Sequence, residues 1–207
     1  MEDVLDVYAR PVDPARPLVC FDESGKDLKA HKRPPQSAVP GRDAREDSEY
    51  DRHGSRNLFL AYAPYLGRRH LAVTDRRTAL DFAHAIRELV DVHYPQADQI
   101  VLVLDNLNTH TPAALYAAFP PAEAWRLLQK IEWHYTPTHG SWLNMAELEW
   151  SVLSRQCLAR RIPDAATLET EVAAWVAERN AAQITTSWHF TKAEARQRLH
   201  WLYPHPE

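Results

Sequence analysis

Two aspartates stand where their residue type and setting could do chemistry. Pro17-Leu-Val-Cys-Phe-Asp22 and Gln99-Ile-Val-Leu-Val-Leu-Asp105 are both apolar runs that end in an acid. Each reads as a buried strand, and an open α/β sheet presents its functional groups at the carboxyl ends of its strands. If the two strands are neighbours, their carboxylates converge. Close carboxylates repel one another unless a cation lies between them. Magnesium suits such a pair, because it prefers oxygen ligands and keeps several waters. Two such ions about 4 Å apart can activate a nucleophile and stabilise a leaving oxygen in phosphodiester transfer. Either aspartate alone is equally well read as the cap of a turn, so the pairing carries the signal.

The elements that must position these acids follow from hydrophobic pattern. Residues 1–16, rich in Pro and Asp, read as an extended lead-in, and residues 26–56 as an irregular insertion. A strand at 57–64 and another at 70–75, joined by a turn, form a hairpin. A helix over about 78–93 leads to the strand 99–105. Thr111-Pro112 opens a short helix, residues 127–130 are helical, and 131–135 form another strand. From Asn144 to Arg160, Ala146, Trp150, Leu153 and Cys157 share one helical stripe. Helices at about 166–181 and 191–202, the latter capped by Thr191, close the chain. The order predicts an α/β mixed sheet flanked by helices, antiparallel on one side and parallel at its centre, with a core over 17–161 and a helical C-terminal extension over 162–207.

The helix from Asn144 supplies a third acid. Glu147 and Glu149 flank its apolar stripe on opposite sides, so periodicity does not choose between them. Asn144 with Glu147 also resembles a capping box.

Bulk properties bound the alternatives. The 207 residues are 45% apolar and 25% charged, an ordinary globular share. A net charge of −4 argues against holding nucleic acid by overall charge and leaves room for a local basic face. Cys20 and Cys157 sit in apolar segments and read as reduced core residues. His134 and His139 have no cysteine pair beside them, so a zinc site is not suggested. No apolar run reaches the roughly 18 residues of a membrane span, and the N-terminus lacks the apolar core of a signal peptide. The expected compartment is the cytoplasm, in association with the nucleoid.

The segments VCFDES, VLDNLNTH and HYTPTHGSWLNMAELEWSVLSRQ resemble the bacterial insertion-sequence branch of the mariner superfamily of DDE transposases. In that family the second aspartate lies in an Asp-Asn-x-x-x-His setting, matched by Asp105-Asn106-Leu-Asn108-Thr-His110. The glutamate lies in a Pro…Leu-Asn-Pro-x-Glu-x-x-Trp pattern, matched by Pro137, Leu143-Asn144-Met145-Ala146-Glu147 and Trp150, with Met145 replacing a proline. Asp105 and Glu147 stand 147 − 105 = 42 positions apart, longer than in the mariner group proper. The likeness runs from Val12 to Pro204.

The resemblance implies a ribonuclease H-like fold and catalysis by Asp22, Asp105 and Glu147 as ligands of Mg2+, with Mn2+ able to substitute. It implies strand cleavage and joining on double-stranded DNA, at transposon ends and target, by a homodimer on DNA. It also implies a helix-turn-helix module, upstream or separate. Asn106, Asn108, His110 and His139 are candidate supporting residues. Arg68, Arg69, Arg76, Arg77 and Arg155 are candidate DNA contacts, and the 26–56 segment could touch DNA or a second subunit. Two competing readings keep the fold: a non-catalytic DNA-binding or regulatory protein derived from a transposase, and another ribonuclease H-like nuclease.

Overall fold

A computed structural model describes residues 1–203. Five strands form one mixed sheet in the order β3-β2-β1-β4-β5. β1 (Leu18–His31), β2 (Tyr50–Ala63) and β3 (Arg68–Thr74) are antiparallel neighbours. β4 (Ile100–Leu104) lies parallel to β1, and β5 (Ile131–Tyr135) parallel to β4. All five β4 residues are buried, as a continuous apolar run in a central parallel strand requires.

Strand alternation divides the core in two. Cys20, Leu60, Tyr62, Val101 and Val103 face one layer, made by α1 (Glu2–Tyr8), α5 (Met145–Gln156), α6 (Ala165–Ala181) and α7 (Lys192–Arg198). Val19, Phe21, Phe59, Leu102 and Leu104 face the other, made by α2 (Ala79–Glu88), α3 (Pro112–Ala118) and α4 (Pro121–Gln129). The order of elements predicted this α/β mixed sheet flanked by helices, and it is the ribonuclease H-like arrangement that the resemblance implied. The helices after residue 161 share the α5 core through Leu168, Val172, Trp175 and Ala195. Of the expected extension, residues 204–207 lie outside the described residues. No described helix is long and apolar enough to cross a membrane.

Two expectations are corrected. The segment 1–16 is not an extended lead-in: residues 2–8 form α1, which buries Val4, Leu5, Val7 and Tyr8. The prolines at 11, 14 and 17 dominate the local pattern, and a helix this short shows little periodicity. The segment 26–56 is not irregular throughout either. β1 and β2 continue as a paired ribbon to His31↔Tyr50, with a register shift between Asp27 and Lys29. Isolated bridges Gln36↔Arg45 and Val39↔Arg42 carry the pairing toward Gly41, whose φ of 80° suits a tight turn. In the outer ribbon Asp51–Ser55 of β2 are exposed and only Leu28 of β1 is buried, so it lacks the alternation that marks a half-buried strand. Smaller shifts affect helix ends. The helix expected over 78–93 turns π-helical at Leu89–His93, α4 begins at Pro121 rather than 127, and α5 stops at Gln156 rather than Arg160. Cys20 and Cys157 are buried and free.

Candidate active site

β1 and β4 pair in parallel through Cys20↔Val103. Continued by two residues, the same register sets Asp22 level with Asp105. Alternation puts both on the face of Cys20 and Val103, toward α5. Asn144 brings α5 to the same place. Its side-chain carbonyl accepts from the Ala146 N–H at 3.1 Å, capping the helix, and its amide donates to the Phe21 carbonyl at 2.9 Å. One buried side chain therefore starts the helix and ties that start to the residue before Asp22. Glu147, in the first turn, is exposed. The capping box suggested by the sequence does not form: Asn144 caps alone. Among the described residues, no hydrogen bond or ion pair engages the Glu147 carboxylate.

Asp22 is 7% exposed. One of its oxygens accepts the Glu23 backbone N–H at 2.8 Å and the other the Trp150 indole N–H at 3.1 Å. Trp150 lies one helical turn beyond Glu147, so α5 contributes both an acid and a donor that holds its neighbour. Burial, with repulsion from Glu147 and Asp105, pushes the Asp22 pKa up to about 7, against the opposing pull of the Glu23 N–H and Trp150. Asp22 thus feels the charge of both other acids.

Asp105 is held from the opposite side. His110 is fully buried between Phe82 and Phe21. Its Nδ1 lies 2.5 Å from Asp105 Oδ1 and its Nε2 3.1 Å from Glu23 Oε2. Burial alone would lower the His110 pKa, but the hydrogen bonds to Asp105 and Glu23 outweigh it and raise it to about 9. Tyr135 donates to the His110 carbonyl at 3.0 Å, fixing the loop after Asp105. Arg77 lies 3.6 Å from Glu23. The pattern Asp22-Glu23 carried no sign of its link to a histidine 87 positions away.

The structure separates the two helix glutamates. Glu149 is 2% exposed and pairs with Arg69, itself fully buried, and with Arg179 at 2.8 Å. Glu149 is thus consumed by packing, and Glu147 is left open. This also corrects Arg69 as a DNA contact: no phosphate reaches a guanidinium enclosed by Glu149, the Gly67 and Ile184 carbonyls and the Tyr62 ring. The other arginines are exposed but not equivalent. Asp22 pairs with Leu60, and Leu60 with Leu71. Leu71 is the midpoint of β3, so the register does not separate Arg68 from Arg76 and Arg77; the contact of Arg77 with Glu23, the neighbour of Asp22, does. Arg155 lies in the last turn of α5, away from Glu147. Asn106 and Asn108 are exposed in the loop after Asp105, and His139 is exposed in the loop before α5 with φ at 61°.

The donor set consists of carboxylate oxygens, which suit a hard divalent cation. Among the described residues no three acids or histidines close around a single point. Glu147 is exposed, Asp105 half-buried and Asp22 buried, so a cation held by them would also take oxygens from water and substrate.

A sequence model of the family described as DDE superfamily endonuclease matches residues 17–169. Among solved structures, the fold is similar to the Mos1 mariner paired end complex with Mn. The two are 17% identical over 87% of this chain and 55% of that one, with a TM-score of 0.53. The Mos1 strand transfer complex is 16% identical over 87% and 54%, with a TM-score of 0.54. A pre-cleavage Mos1 transpososome is 14% identical over 90% and 60%, with a TM-score of 0.54. The chain spans about half the length of the Mos1 chains it resembles. No curated protein matches it.

Proposed function

Because the chain belongs to the DDE superfamily endonucleases, we propose that it is the catalytic domain of a DNA transposase. It cleaves a phosphodiester at a transposon end and joins the freed 3′-hydroxyl to target DNA. What supports this reading is that the β1–β4 register sets Asp22 level with Asp105, while the Asn144–Phe21 bond brings the start of α5, which carries Glu147, to the residue before Asp22.

Asp22 and Asp105 hold the divalent cation from neighbouring strands, and Glu147 completes the set from α5. The cation is Mg2+, with Mn2+ able to substitute; the solved relative complexed with Mn supports the class of ion. Bound there, it supplies activation of the attacking oxygen and stabilisation of the leaving one. The chain's own residues do the positioning. Trp150 and the Glu23 N–H fix the Asp22 carboxylate, His110 fixes Asp105, and Asn144 fixes the approach of α5. Arg76 and Arg77 meet the DNA backbone at the mouth, and Asn106, Asn108 and His139 meet the bound strand end. The substrate is double-stranded DNA, and two copies of the chain act together because two transposon ends must be joined. A helix-turn-helix module, in the same protein or separate, selects the ends.

Cleavage of supercoiled and linear DNA carrying candidate terminal repeats tests this reading, with Mg2+ or Mn2+ and with EDTA as control. Metal-dependent cleavage that Asp105→Ala and Glu147→Gln each abolish supports it. Cleavage that survives both substitutions rules out these carboxylates as the catalytic centre.

A further inference from the structure

The loop that delivers Glu147 is tightly built, yet it presents a tryptophan to solvent. Thr136 donates its N–H to the Leu104 carbonyl at 2.9 Å, and Gly140 donates to Pro137 at 2.8 Å. A Cβ on Gly140 would stand 2.6 Å from the Pro137 ring, so only glycine fits. His139 is held in the left-handed region. Tyr8 donates to the Leu143 carbonyl at 2.6 Å, and Asn144 docks on Phe21. Between these anchors Trp142 is 47% exposed. Its exposure is set by a constrained backbone.

Trp142 is also backed by other aromatics. Its rings lie 6.4 Å from those of Trp188 at 22° and 5.8 Å from Phe190 at 66°. Trp188 in turn lies 4.9 Å from Tyr8 and donates its indole N–H to the Phe190 carbonyl at 2.7 Å. A cavity of about 310 Å³ opens beside Tyr8, Trp188 and Phe190. Leu148, the residue after Glu147, is exposed as well. The exposed Tyr116 and Trp125 stand on α3 and α4, which cover the other face of the sheet.

We propose that Trp142, backed by Trp188 and Phe190, is a stacking platform for an unpaired nucleobase of the DNA strand entering the carboxylate site. This rests on the DNA-cleaving reading above. Trp142 lies two residues before Asn144, which is bonded to the residue before Asp22, and five before Glu147. The same short loop therefore carries the indole and delivers the start of α5 to the residue before Asp22. A duplex shows phosphates and sugars to such a surface and keeps its base faces stacked inside. An unpaired base offers both π-faces to a neutral indole, where a blunt end offers only the outer face of its last pair, and such stacking is tolerant of sequence. The platform would accept the base of a frayed or cut end whose phosphate is held by the carboxylates.

The test uses the full chain and labelled hairpin duplexes, in calcium to suppress cleavage. One duplex carries an unpaired thymidine tail, a second an abasic tail of equal length, and a third is blunt. The thymidine tail is expected to bind about tenfold tighter than the abasic tail, in line with one stacked base. Trp142→Ala and Trp142→Leu should erase that ratio, Trp142→Phe should keep most of it, and blunt-duplex binding should not change. A 2-aminopurine in the tail, quenched on binding to the unaltered chain, provides a readout that needs no variant. A tail preference that persists in Trp142→Ala and Trp142→Leu overturns the platform, as does unquenched 2-aminopurine, while leaving the cleavage reading intact. Failure to bind any of the duplexes overturns the platform, and the cleavage reading then stands or falls by the metal-dependent cleavage assay.

Discussion

Replacing Glu149 with glutamine should unfold the protein far more than it disturbs the chemistry, and replacing Glu147 should do the reverse. The guanidinium of Arg69 is fully enclosed, and Arg179 is largely so. Neutralising Glu149 leaves two buried cations facing each other with no counter-charge. Breaking a buried ion pair from one side costs about 3–5 kcal/mol. Arg69 keeps its bonds to the Gly67 and Ile184 carbonyls at 3.0 and 2.7 Å, so glutamine falls near the lower figure and alanine near the upper. For a domain of this size that lowers Tm by roughly 10 °C. Glu147 is exposed and free of partners among the described residues, so Glu147→Gln should change stability by no more than about 0.5 kcal/mol. Urea denaturation followed by circular dichroism, alongside metal-dependent DNA cleavage, measures both effects. Glu149→Gln as stable as the parent would refute the buried-charge argument. Glu147→Gln cleaving at the parent rate would refute the catalytic assignment.

Three further outcomes are expected. His110→Ala should lower divalent-cation affinity and cleavage by about 10–100-fold, because Asp105 loses the group that orients it; calorimetric titration with Mn2+ reads the affinity directly. Asn144→Ala should cost about 2 kcal/mol, from a lost cap and an unpaired buried Phe21 carbonyl, and should weaken cleavage as the start of α5 loosens. His70 stacks on His93 at 3.7 Å, and burial, then repulsion from His93 and Arg68, lowers its pKa from 6.5 to about 4. The folded state thus resists its protonation. The His70 contribution to stability should be constant above about pH 6.5 and decline as pH falls toward 4, by about 2 kcal/mol after allowing for partial exposure. His70→Gln should flatten that decline in a series of denaturation curves, and an unchanged slope would count against the assignment.

How far the sequence reached depends on the range of the interactions. Five consecutive apolar residues before Asp105 can hardly be anything but a central strand, because burial on both faces leaves no polar position. The pairing of Asp22 with Asp105 follows from two such strands lying side by side. The amphipathic stripe of α5 and the caps at Thr191 and Asn144 are likewise local, and they were legible. The ribbon beyond Lys26 was not, because pairing that buries only Leu28 leaves no apolar rhythm. α1 was not, because its burial depends on a core assembled from the far end of the chain.

The opening acids divide along the same line. Sequence alone ended two apolar runs in aspartates and set a pair of glutamates two residues apart on one helix; in the fold Asp22 lies within β1, which runs on to His31. Only the tertiary structure decided that Glu149 is enclosed by Arg69 and Arg179 while Glu147 stands open beside Asp22. It also decided that His110 joins Asp105 to Glu23. Those outcomes depend on which charges meet across 30 to 87 positions of chain. Local periodicity carries no record of such meetings, because desolvation and ion pairing are properties of the packed interior.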